Sequence, residues 1–591
     1  METEKNPNSW KEKLNEKLQS IFGKSNNSEY HFSLSSPYET ADTEKSSYPT
    51  TEQLQENQKI TEVKEIYPSL EVSLEYIKVK YNTLINSDIV LREFTLSARN
   101  RQYKALLFFI DGMVDSQLIN NNVLEALMLR NRANIFDGDQ NQIVTEARTN
   151  NITVKKVKKF NLENYVFDCL LPQNNVKKVT TFSQAFTGVN MGDCLLFIDT
   201  LPIAFDIDVK GFKQREVSTP NNEIIIKGPQ QAFVENIRTN TALLRRIVNN
   251  ENLIIENIEV GKISKTICSV CYLKNITNND LVAEVKYRIN NLEIDSLLSS
   301  GELEQLIGEN QKYSVPEILS TERPDKATKY LYGGRVVVLI NGNPYALIMP
   351  ATLIDFISSP EDSNLKFQFG NFLKFLRLLA IGITLLLPGI YVAIADFHQE
   401  LLPTELLFSL LASRENVPFP IIFEILVMEI SFELIREAGL RVPSPIGPTI
   451  GIVGALVLGQ AAVSASIVSP ILIIIVAITA IASFAIPDFS FGFHLRLMRF
   501  IFIILGYVAG FFGIGIGLFI YVCILTSLKS FGVPFTAPYT PVTNIKQNGY
   551  FLEPVWKREK RADYLDTKKV DSQEPISMKW KKGGLWCQIE K

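Results

Sequence analysis

The side chains that most often perform catalysis or bind metals are few and scattered in this sequence. Its three histidines, His31, His398 and His494, lie far apart in unlike surroundings. Cys268 and Cys271 form one Cys-x-x-Cys motif without a second pair or a nearby histidine, so core or edge cysteines are favoured over a zinc or redox site. The phosphate-loop, zinc-protease and nucleophile-elbow motifs are missing from the sequence. We therefore predict no enzymatic activity, no metal and no cofactor.

The ionisable residues that stand out are acidic and lie in an apolar segment, residues 417–437. This segment contains four glutamates, Glu424, Glu429, Glu433 and Glu437. At about 100° per residue, the last three follow one another at about 40° intervals around a helix, whereas Glu424 points about 140° away from Glu429. A charge at mid-bilayer costs roughly 2.5–3.5 kcal/mol on insertion scales, so such carboxylates must face protein or water.

Two interpretations of this acidic face stay open. It could line a pore or a contact between subunits, where stacked carboxylates would attract cations. Alternatively, the segment could be an amphipathic helix lying flat on a membrane, or its acids could pair within the chain with Arg436 and Arg441. Glu424, on a different face, is expected to serve packing more than conduction.

Small residues recur at helical spacing in two other apolar segments. These are Gly447, Gly451, Ala455 and Gly459 in one segment, and Gly506, Gly510, Gly513 and Gly517 in the other. Small residues let helices approach closely in lipid, where close packing replaces the hydrophobic effect. We predict helix packing through both stripes, either inside one subunit or between subunits.

The distribution of charge predicts a membrane protein. The 591-residue chain has 60 Lys+Arg and 63 Asp+Glu, a net charge of -3, so no basic field attracts nucleic acid. Residues 375–528 contain only 15 charged side chains and no lysine. Apolar segments of about 20 residues cross a bilayer. We predict a membrane domain at residues 371–528 with hydrophobic segments at 375–396, 418–436, 446–464, 470–487 and 500–528.

The remainder is predicted to be soluble. Residues 1–69 are polar and too poor in aliphatic side chains to bury a core, so they are predicted to be disordered. Short apolar runs at 105–110, 195–198 and 336–340 indicate strands, and residues 233–248 have helical spacing. The prediction is an α/β (or α+β) soluble N-terminal region of two subdomains, 70–212 and 213–365, followed by an all-α polytopic membrane domain. Residues 529–591 form a tail.

The flanking charges give only part of the topology. Basic residues precede the first hydrophobic segment and acidic residues follow it, so the positive-inside rule places the N-terminal region in the cytoplasm. The first residues, METEKNPNSW, have no apolar core, so a cleaved signal peptide is not expected. Five crossings would leave the basic tail on the far side, against its charge. Either one segment is re-entrant or residues 500–528 fold back.

Several motifs resemble the A subunits of the spore germination nutrient receptors, the GerA-type family. The residues that carry this resemblance are Asp111-Gly112, Arg215, Gly228-Pro229, Glu322-Arg323-Pro324-Asp325 and, near the end, 528–535. After Gly228-Pro229 the family usually has a basic residue, then an acid and a glycine. This chain has Gln230-Gln231-Ala232 instead, so the loop lacks the charges that the family usually has there.

The resemblance implies a function that the residues alone do not. It implies a multi-pass protein of the inner membrane of the dormant spore, acting with a transporter-like B subunit that senses nutrient and a C-subunit lipoprotein. The chain is expected to form a homo-oligomer, with a pentamer suspected, and a nutrient-gated cation channel that triggers germination. The alternative is a non-conducting membrane signalling scaffold or an accessory germination protein of the same family. The nutrient cannot be named.

The predicted boundary is testable with a fragment. Because residues 70–360 contain no long apolar run, we expect them to express as a soluble monomer without detergent. Fractionation and size-exclusion chromatography would measure this. Recovery only from the membrane fraction would contradict the boundary.

Overall fold

The computed structural model describes residues 64–98, 101–128, 161–211, 220, 223, 225–441, 457–543 and 549–573. Among the predicted site residues, Arg215, Gly447 and Gly451 lie outside these ranges, as does most of segment 1–69. The described residues form two five-stranded antiparallel sheets with their helices, a helix bundle, and a tail that begins with a two-stranded sheet and returns to the second subdomain.

The first subdomain is built on a five-stranded sheet in the order β1-β2-β4-β5-β3. Every neighbouring pair in it is antiparallel. The strands bury apolar side chains on both faces, against α1 and α2 on one side and short helical turns on the other. Its elements are α1 (Leu70–Tyr81), β1 (Ile89–Ala98), β2 (Arg101–Ile110), helical turns Ser116–Leu118, Ile119–Leu124, Glu125–Met128, Leu162–Tyr165 and Val166–Leu170, β3 (Val176–Val179), α2 (Phe182–Asn190), β4 (Cys194–Ile198) and β5 (Ala204–Ile207).

This subdomain begins before residue 70. The side chain of Ile66 is only 3% exposed, and its backbone N–H donates to the carbonyl of Thr180 at 2.9 Å. Glu65 forms a β-bridge with Thr181. The predicted boundary after residue 69 is therefore too late, because one apolar side chain and two backbone pairings suffice to fix a segment whose composition is polar.

The second subdomain is built on a five-stranded sheet in the order β6-β7-β9-β10-β8, again with only antiparallel pairs. The region is thus α+β, the second of the two classes predicted. Its elements are α3 (Ile237–Val248), β6 (Leu253–Val260), β7 (Thr266–Leu273), α4 (Asn279–Asn290), α5 (Ser300–Ile307), β8 (Leu319–Thr321), α6 (Pro324–Tyr332), β9 (Val336–Ile340), β10 (Ala346–Met349), α7 (Leu353–Ile357) and α8 (Pro360–Asn364).

The helix bundle and the tail complete the described chain. The apolar helices pack mainly through α9 and α13, with α11 and α12 beside them. The elements are α9 (Phe367–Phe397), a turn at Gln399–Leu401, α10 (Thr404–Arg414), α11 (Ile421–Arg441), α12 (Pro470–Phe484), α13 (Phe489–Ser527), β11 (Lys529–Ser530), β12 (Val533–Pro534), and turns Val555–Lys557 and Asp563–Leu565.

Helix α13 folds back on itself at Ala509 and Gly510, which have non-helical backbone angles. The Nε2 atom of His494 lies 3.0 Å from the hydroxyl of Tyr521, 27 residues further on. In a straight helix these residues would be about 40 Å apart. The first arm (489–508) and the second arm (511–527) are therefore antiparallel, each about 25–30 Å long. The predicted segment 500–528 therefore starts too late and contains a reversal, which Gly510 allows because its φ of +58° is open to glycine.

The fold-back brings the tail to the soluble region. The hydroxyl of Ser530 donates to the carbonyl of Glu317 at 2.6 Å, and the Arg561 Nε donates to the carbonyl of Tyr332 at 2.7 Å. Because the tail contacts the second subdomain directly, both lie on the same side of the bundle. Of the two alternatives left by the charges, the structure contains the fold-back.

The glycines of α13 do not share one face of one helix, as their spacing predicted. A Cβ added to Gly506 would lie 2.5 Å from the carbonyl oxygen of Gly389 in α9. A Cβ on Gly513 in the second arm would lie 2.3 Å from the carbonyl oxygen of Leu505 in the first arm. Gly517 likewise contacts Leu505, and Gly510 forms the turn. These close approaches are all inside one chain.

The contact between Gly506 and Gly389 generates a prediction. Gly506→Ala should destabilise the protein by about 1–3 kcal/mol, because the added methyl overpacks two backbones that already touch. The measurement is the Tm of the purified protein in detergent. Gly515→Ala is the matched control, because a Cβ there has no neighbour within 4 Å. Equal Tm values for the two variants would contradict the packing role.

Candidate functional site

The TERPD motif anchors a loop through one arginine. Arg323 precedes α6 and is 0% exposed. Its Nη1 donates to the carbonyl of Glu223 at 3.0 Å, and its Nη2 donates to the carbonyl of Pro229 at 2.5 Å and pairs with Asp325 at 3.0 Å. The Glu223 carboxylate in turn pairs with Lys326 at 2.6 Å. The motif therefore holds the segment from Glu223 to Pro229 against the start of α6.

The Gly228-Pro229 loop contacts this anchor through its backbone. Gly228 has φ +144°, and a Cβ there would lie 2.5 Å from Nδ2 of Asn364. Asn364 donates to the carbonyl of Lys227 at 2.9 Å. Since carbonyl groups make these contacts, they do not depend on the side chains of residues 230–232. Among those residues, Gln231 accepts a hydrogen bond from Arg246.

A second buried arginine holds the end of the second subdomain. Arg335 Nη1 lies 2.7 Å from the Asp355 carboxylate, which also accepts from the N–H and hydroxyl of Thr352. Burial opposes ionisation of Asp355, but the Arg335 guanidinium outweighs it and holds the pKa of this carboxyl below its usual range. The guanidinium also stacks 4.6 Å from the ring centre of Tyr330.

The Asp111-Gly112 motif lies at the junction of the two subdomains. Asp111 is 3.6 Å from Arg238 of α3, and a Cβ on Gly112, at φ +87°, would meet the Arg238 carbonyl at 3.1 Å. Beside it, Arg245 of α3 forms a bidentate pair with Asp88 at 2.7 and 2.8 Å. Both charges are buried, so this pair fixes the first subdomain on the second.

Polar contacts connect the second subdomain to the bundle. Asp362 in α8 pairs with Arg377 in α9 at 2.6 Å. The buried His494 of α13 is hydrogen-bonded to the hydroxyl of Ser314 at 2.7 Å and to that of Tyr521 at 3.0 Å. One histidine thus joins the soluble region to both arms of the fold-back.

The acidic residues of α11 meet arginines inside the bundle. Arg499 in the first arm of α13 lies 2.9 Å from both Glu429 and Glu433. Glu433 also pairs with Arg496 at 3.3 Å and with Arg436 at 3.6 Å. We call these five residues the bundle charge cluster. It contains three cations and two carboxylates. Pairing within the chain was one of the open interpretations, with Arg436 and Arg441 as the expected partners. Arg436 takes part, and Arg496 and Arg499, which were not expected, supply the other two cations.

The two other glutamates of α11 are Glu424 and Glu437. Glu424 is buried, pairs with Arg414 at 3.2 Å and accepts from the Ser469 N–H at 3.1 Å. It connects α10, α11 and the start of α12, in keeping with a packing role. Glu437 is exposed, one turn beyond Glu433.

Sequence reasoning missed Arg496, Arg499 and His494. The predicted segment began at residue 500, so these residues fell between two predicted hydrophobic segments. Instead, α13 begins at Phe489, capped by the Asp488 carboxylate, which accepts from the Phe491 N–H at 2.8 Å. The signal that could have found the arginines is their spacing of three residues in an otherwise apolar stretch, opposite two glutamates of similar spacing.

Cys268 and Cys271 lie on opposite faces of one strand. Cys268 and Cys271 are three residues apart in β7, so their side chains enter the cores on opposite faces of the sheet. Burial raises the pKa of the Cys268 thiol to about 12, which keeps it protonated. Among the described residues, no group of three His, Cys, Asp or Glu side chains could hold a metal ion.

The fold and the charge cluster define a class of protein, an α+β region joined to a bundle of apolar helices. Within the described ranges, Phe367–Phe397 and Phe489–Ser527 are long and apolar enough to cross a membrane. Residues 75–564 match the family described as Bacillus/Clostridium GerA spore germination protein. The chain belongs to this family.

Individual relatives cover most of the chain. Spore germination protein KA of Bacillus subtilis is 36% identical over 84% of this chain and 87% of its own. Spore germination protein A1 of Bacillus subtilis is 37% identical over 68% and 84%, respectively. The crystal structure of the N-terminal domain of the A subunit of the Bacillus megaterium spore germinant receptor GerK3 has 28% identity, covers 49% of this chain and 98% of that domain, and has a TM-score of 0.35.

The anchoring role of Arg323 is testable by proteolysis. Arg323→Ala should accelerate tryptic cleavage after Lys227 and destabilise the protein by about 3 kcal/mol, because buried carbonyl groups and a carboxylate lose their partner. Cleavage is followed by mass spectrometry under native conditions. Asn364→Ala, which removes one hydrogen bond from the same loop, should have a smaller effect. Unchanged cleavage after Lys227 in Arg323→Ala would contradict the anchor.

Proposed function

We propose that the chain is the A subunit of a nutrient germinant receptor that oligomerises in the inner membrane of the spore and forms a nutrient-gated cation channel. Its soluble region and tail face the cytoplasm. A transporter-like B subunit senses the nutrient, and a C-subunit lipoprotein completes the receptor. Family membership supports the receptor role. The channel and the partners go beyond family membership.

Exposed apolar side chains support a membrane-embedded bundle. The surfaces of α9 and α13 present aromatic residues to their surroundings, including Phe369, Phe372, Phe512 and Phe519. Large exposed apolar surfaces are rare on soluble monomers and indicate lipid or another subunit. With the fold-back, the two arms of α13 each have about the length of the hydrocarbon core.

One observation carries the channel proposal: the soluble region contacts the arm of α13 that supplies two arginines of the bundle charge cluster. His494, bonded to Ser314, lies within two turns of Arg496 and Arg499 on the same arm of α13. A displacement of the second subdomain would therefore move these arginines relative to Glu429 and Glu433 in α11. We propose that the arginines neutralise the acidic face in the closed state and release it on opening.

Release of the carboxylates would create the cation path. Subunits arranged around an axis would present Glu429 and Glu433 as stacked acidic rings once Arg499 withdraws. An unpaired charge in an apolar bundle is costly, so the carboxylates must face either arginine, as in the closed state, or water, as in the open state.

The second candidate function is a non-conducting scaffold. It is favoured by the burial of Glu429, which is 1% exposed and already paired with Arg499. In that case the cluster only holds α11 against α13, and the soluble region relays a signal to its partners.

Glu429→Gln separates the two candidates. The amide keeps the size but loses the charge, and Arg499 retains Glu433 as partner, so the protein should fold. In liposomes containing the receptor subunits, the reversal potential under a salt gradient should show weaker cation preference in the variant. Glu405→Gln, an exposed residue of α10, is the matched control and should behave as wild type.

Equal reversal potentials for wild type and Glu429→Gln, at equal protein levels, would exclude α11 from a cation path and favour the scaffold. Glu424→Gln tests the assignment of roles within α11. The variant should lower the Tm more than it changes ion selectivity, because Glu424 accepts a hydrogen bond from the Ser469 N–H and pairs with Arg414.

A further inference from the structure

A cavity of about 430 Å³ lies where the second subdomain meets the first membrane-length helix. Its walls come from α6, the α7–α8 region, the first turns of α9 and the tail residues 549–573. We call it the junction cavity. Five basic side chains line it: Lys329, Arg335, Lys374, Arg558 and Arg561.

The carboxylates that line the junction cavity already have partners. The pairs are Asp325 with Arg323 at 3.0 Å, Asp355 with Arg335 at 2.7 Å and Asp362 with Arg377 at 2.6 Å. Arg323 and Arg377 do not line the cavity, so two of its three acids are neutralised from outside. Among the described residues, only Arg335 of the five lining cations has a carboxylate partner. The cavity therefore carries an excess of positive charge.

Lys374 makes this excess costly. Its residue is 3% exposed, and no hydrogen bond or ion pair joins its ammonium group to another described residue. The carboxylates that act on it electrostatically, Asp362 and Asp355, are already paired with Arg377 and Arg335. An unpaired buried ammonium is strongly unfavourable unless a counter-charge reaches it. Its position in the cavity wall gives such a counter-charge access.

Lys329, Arg558 and Arg561 also line the junction cavity. Desolvation by the surrounding protein lowers the pKa of the Lys329 ammonium, and the nearby Arg558 guanidinium lowers it further. The side chain of Lys329 nevertheless contacts solvent. Arg558 Nε donates to the Glu553 carbonyl at 2.8 Å, and Arg561 Nε donates to the Tyr332 carbonyl at 2.7 Å. Backbone carbonyls thus orient both guanidinium groups without neutralising them.

We propose that the junction cavity binds a phosphate group, as a free phosphate or as the headgroup of an anionic lipid. The unneutralised cations match a multiply charged anion, and guanidinium groups fit phosphate oxygens through paired N–H donors. Such an anion contacts α6, α9 and the tail together. It therefore cross-links the soluble region, the first membrane-length helix and the end of the chain.

The test uses the purified full-length protein in a neutral detergent. Sodium phosphate at about 10 mM should raise the Tm by about 3 °C over sodium chloride of equal ionic strength, since a ligand that binds only the folded state stabilises it. Lys374→Met should abolish this shift. It should also raise the Tm in chloride, because it removes the unpaired charge. Lys262→Met, an exposed lysine outside the cavity, should keep the wild-type response.

A second arm distinguishes the source of the phosphate group. Nanodiscs of phosphatidylglycerol are compared with nanodiscs of phosphatidylcholine, with and without free phosphate. A Lys374-dependent shift with phosphatidylglycerol but not free phosphate identifies a headgroup, and the reverse identifies a soluble anion. If neither raises the Tm, or if chloride does so equally, the proposal is overturned.

If Lys374→Met does not fold, Arg558→Gln is the second variant that tests the proposal. It should weaken the phosphate-dependent shift at least twofold while the protein stays folded in chloride. A Lys374→Met variant that folds, has a lower Tm in chloride and keeps the full phosphate shift would show that Lys374 is a structural cation. That result would also overturn the proposal, whether or not the protein conducts ions.

Discussion

The reversal of α13 at Gly510 is the constraint on which the rest of the structure depends. A straight helix of this length would carry the tail far from the soluble region. With the reversal, the second arm ends beside the start of the first, and the tail enters the second subdomain, where Phe531 and Phe535 join its two cores. The second subdomain is therefore completed by residues that follow the helix bundle in the chain. Any movement between the subdomains and α13 acts on both arms.

Buried arginines determine how distant segments are placed. Arg245 joins the subdomains through Asp88, Arg323 holds a loop nearly 100 residues earlier, and Arg499 joins α13 to α11. An unpaired charge in an apolar interior is expensive, so each arginine tolerates few arrangements of its partners. Because breaking such a pair is costly, each pair restricts how the two segments that it joins can move relative to each other.

Features that depend on neighbouring residues in the sequence could be predicted, and features that depend on contacts between distant residues could not. Apolar runs and turn residues predicted strands at 105–110, 195–198 and 336–340, and all three lie inside β2, β4 and β9. Helical spacing at 233–248 predicted α3. Lack of charge predicted apolar helices, but the start of α13 was misplaced because Arg496 and Arg499 were taken as the boundary of a span. Their charges are accommodated within the helix bundle by Glu429 and Glu433.

The sequence by itself determined the division into a soluble region and an apolar bundle, the class of the soluble region up to a choice between α/β and α+β, and the family. These depend on composition and on motifs read along the chain. Only the tertiary structure decided strand order, the reversal at Gly510, and which carboxylate meets which arginine. The physical reason is that an ion pair or a backbone contact between residues far apart in sequence does not change the pattern of apolar and polar residues in either segment. The acidic face of α11 shows this plainly, since its pattern is the same whether its partners are arginines of α13 or water in a pore.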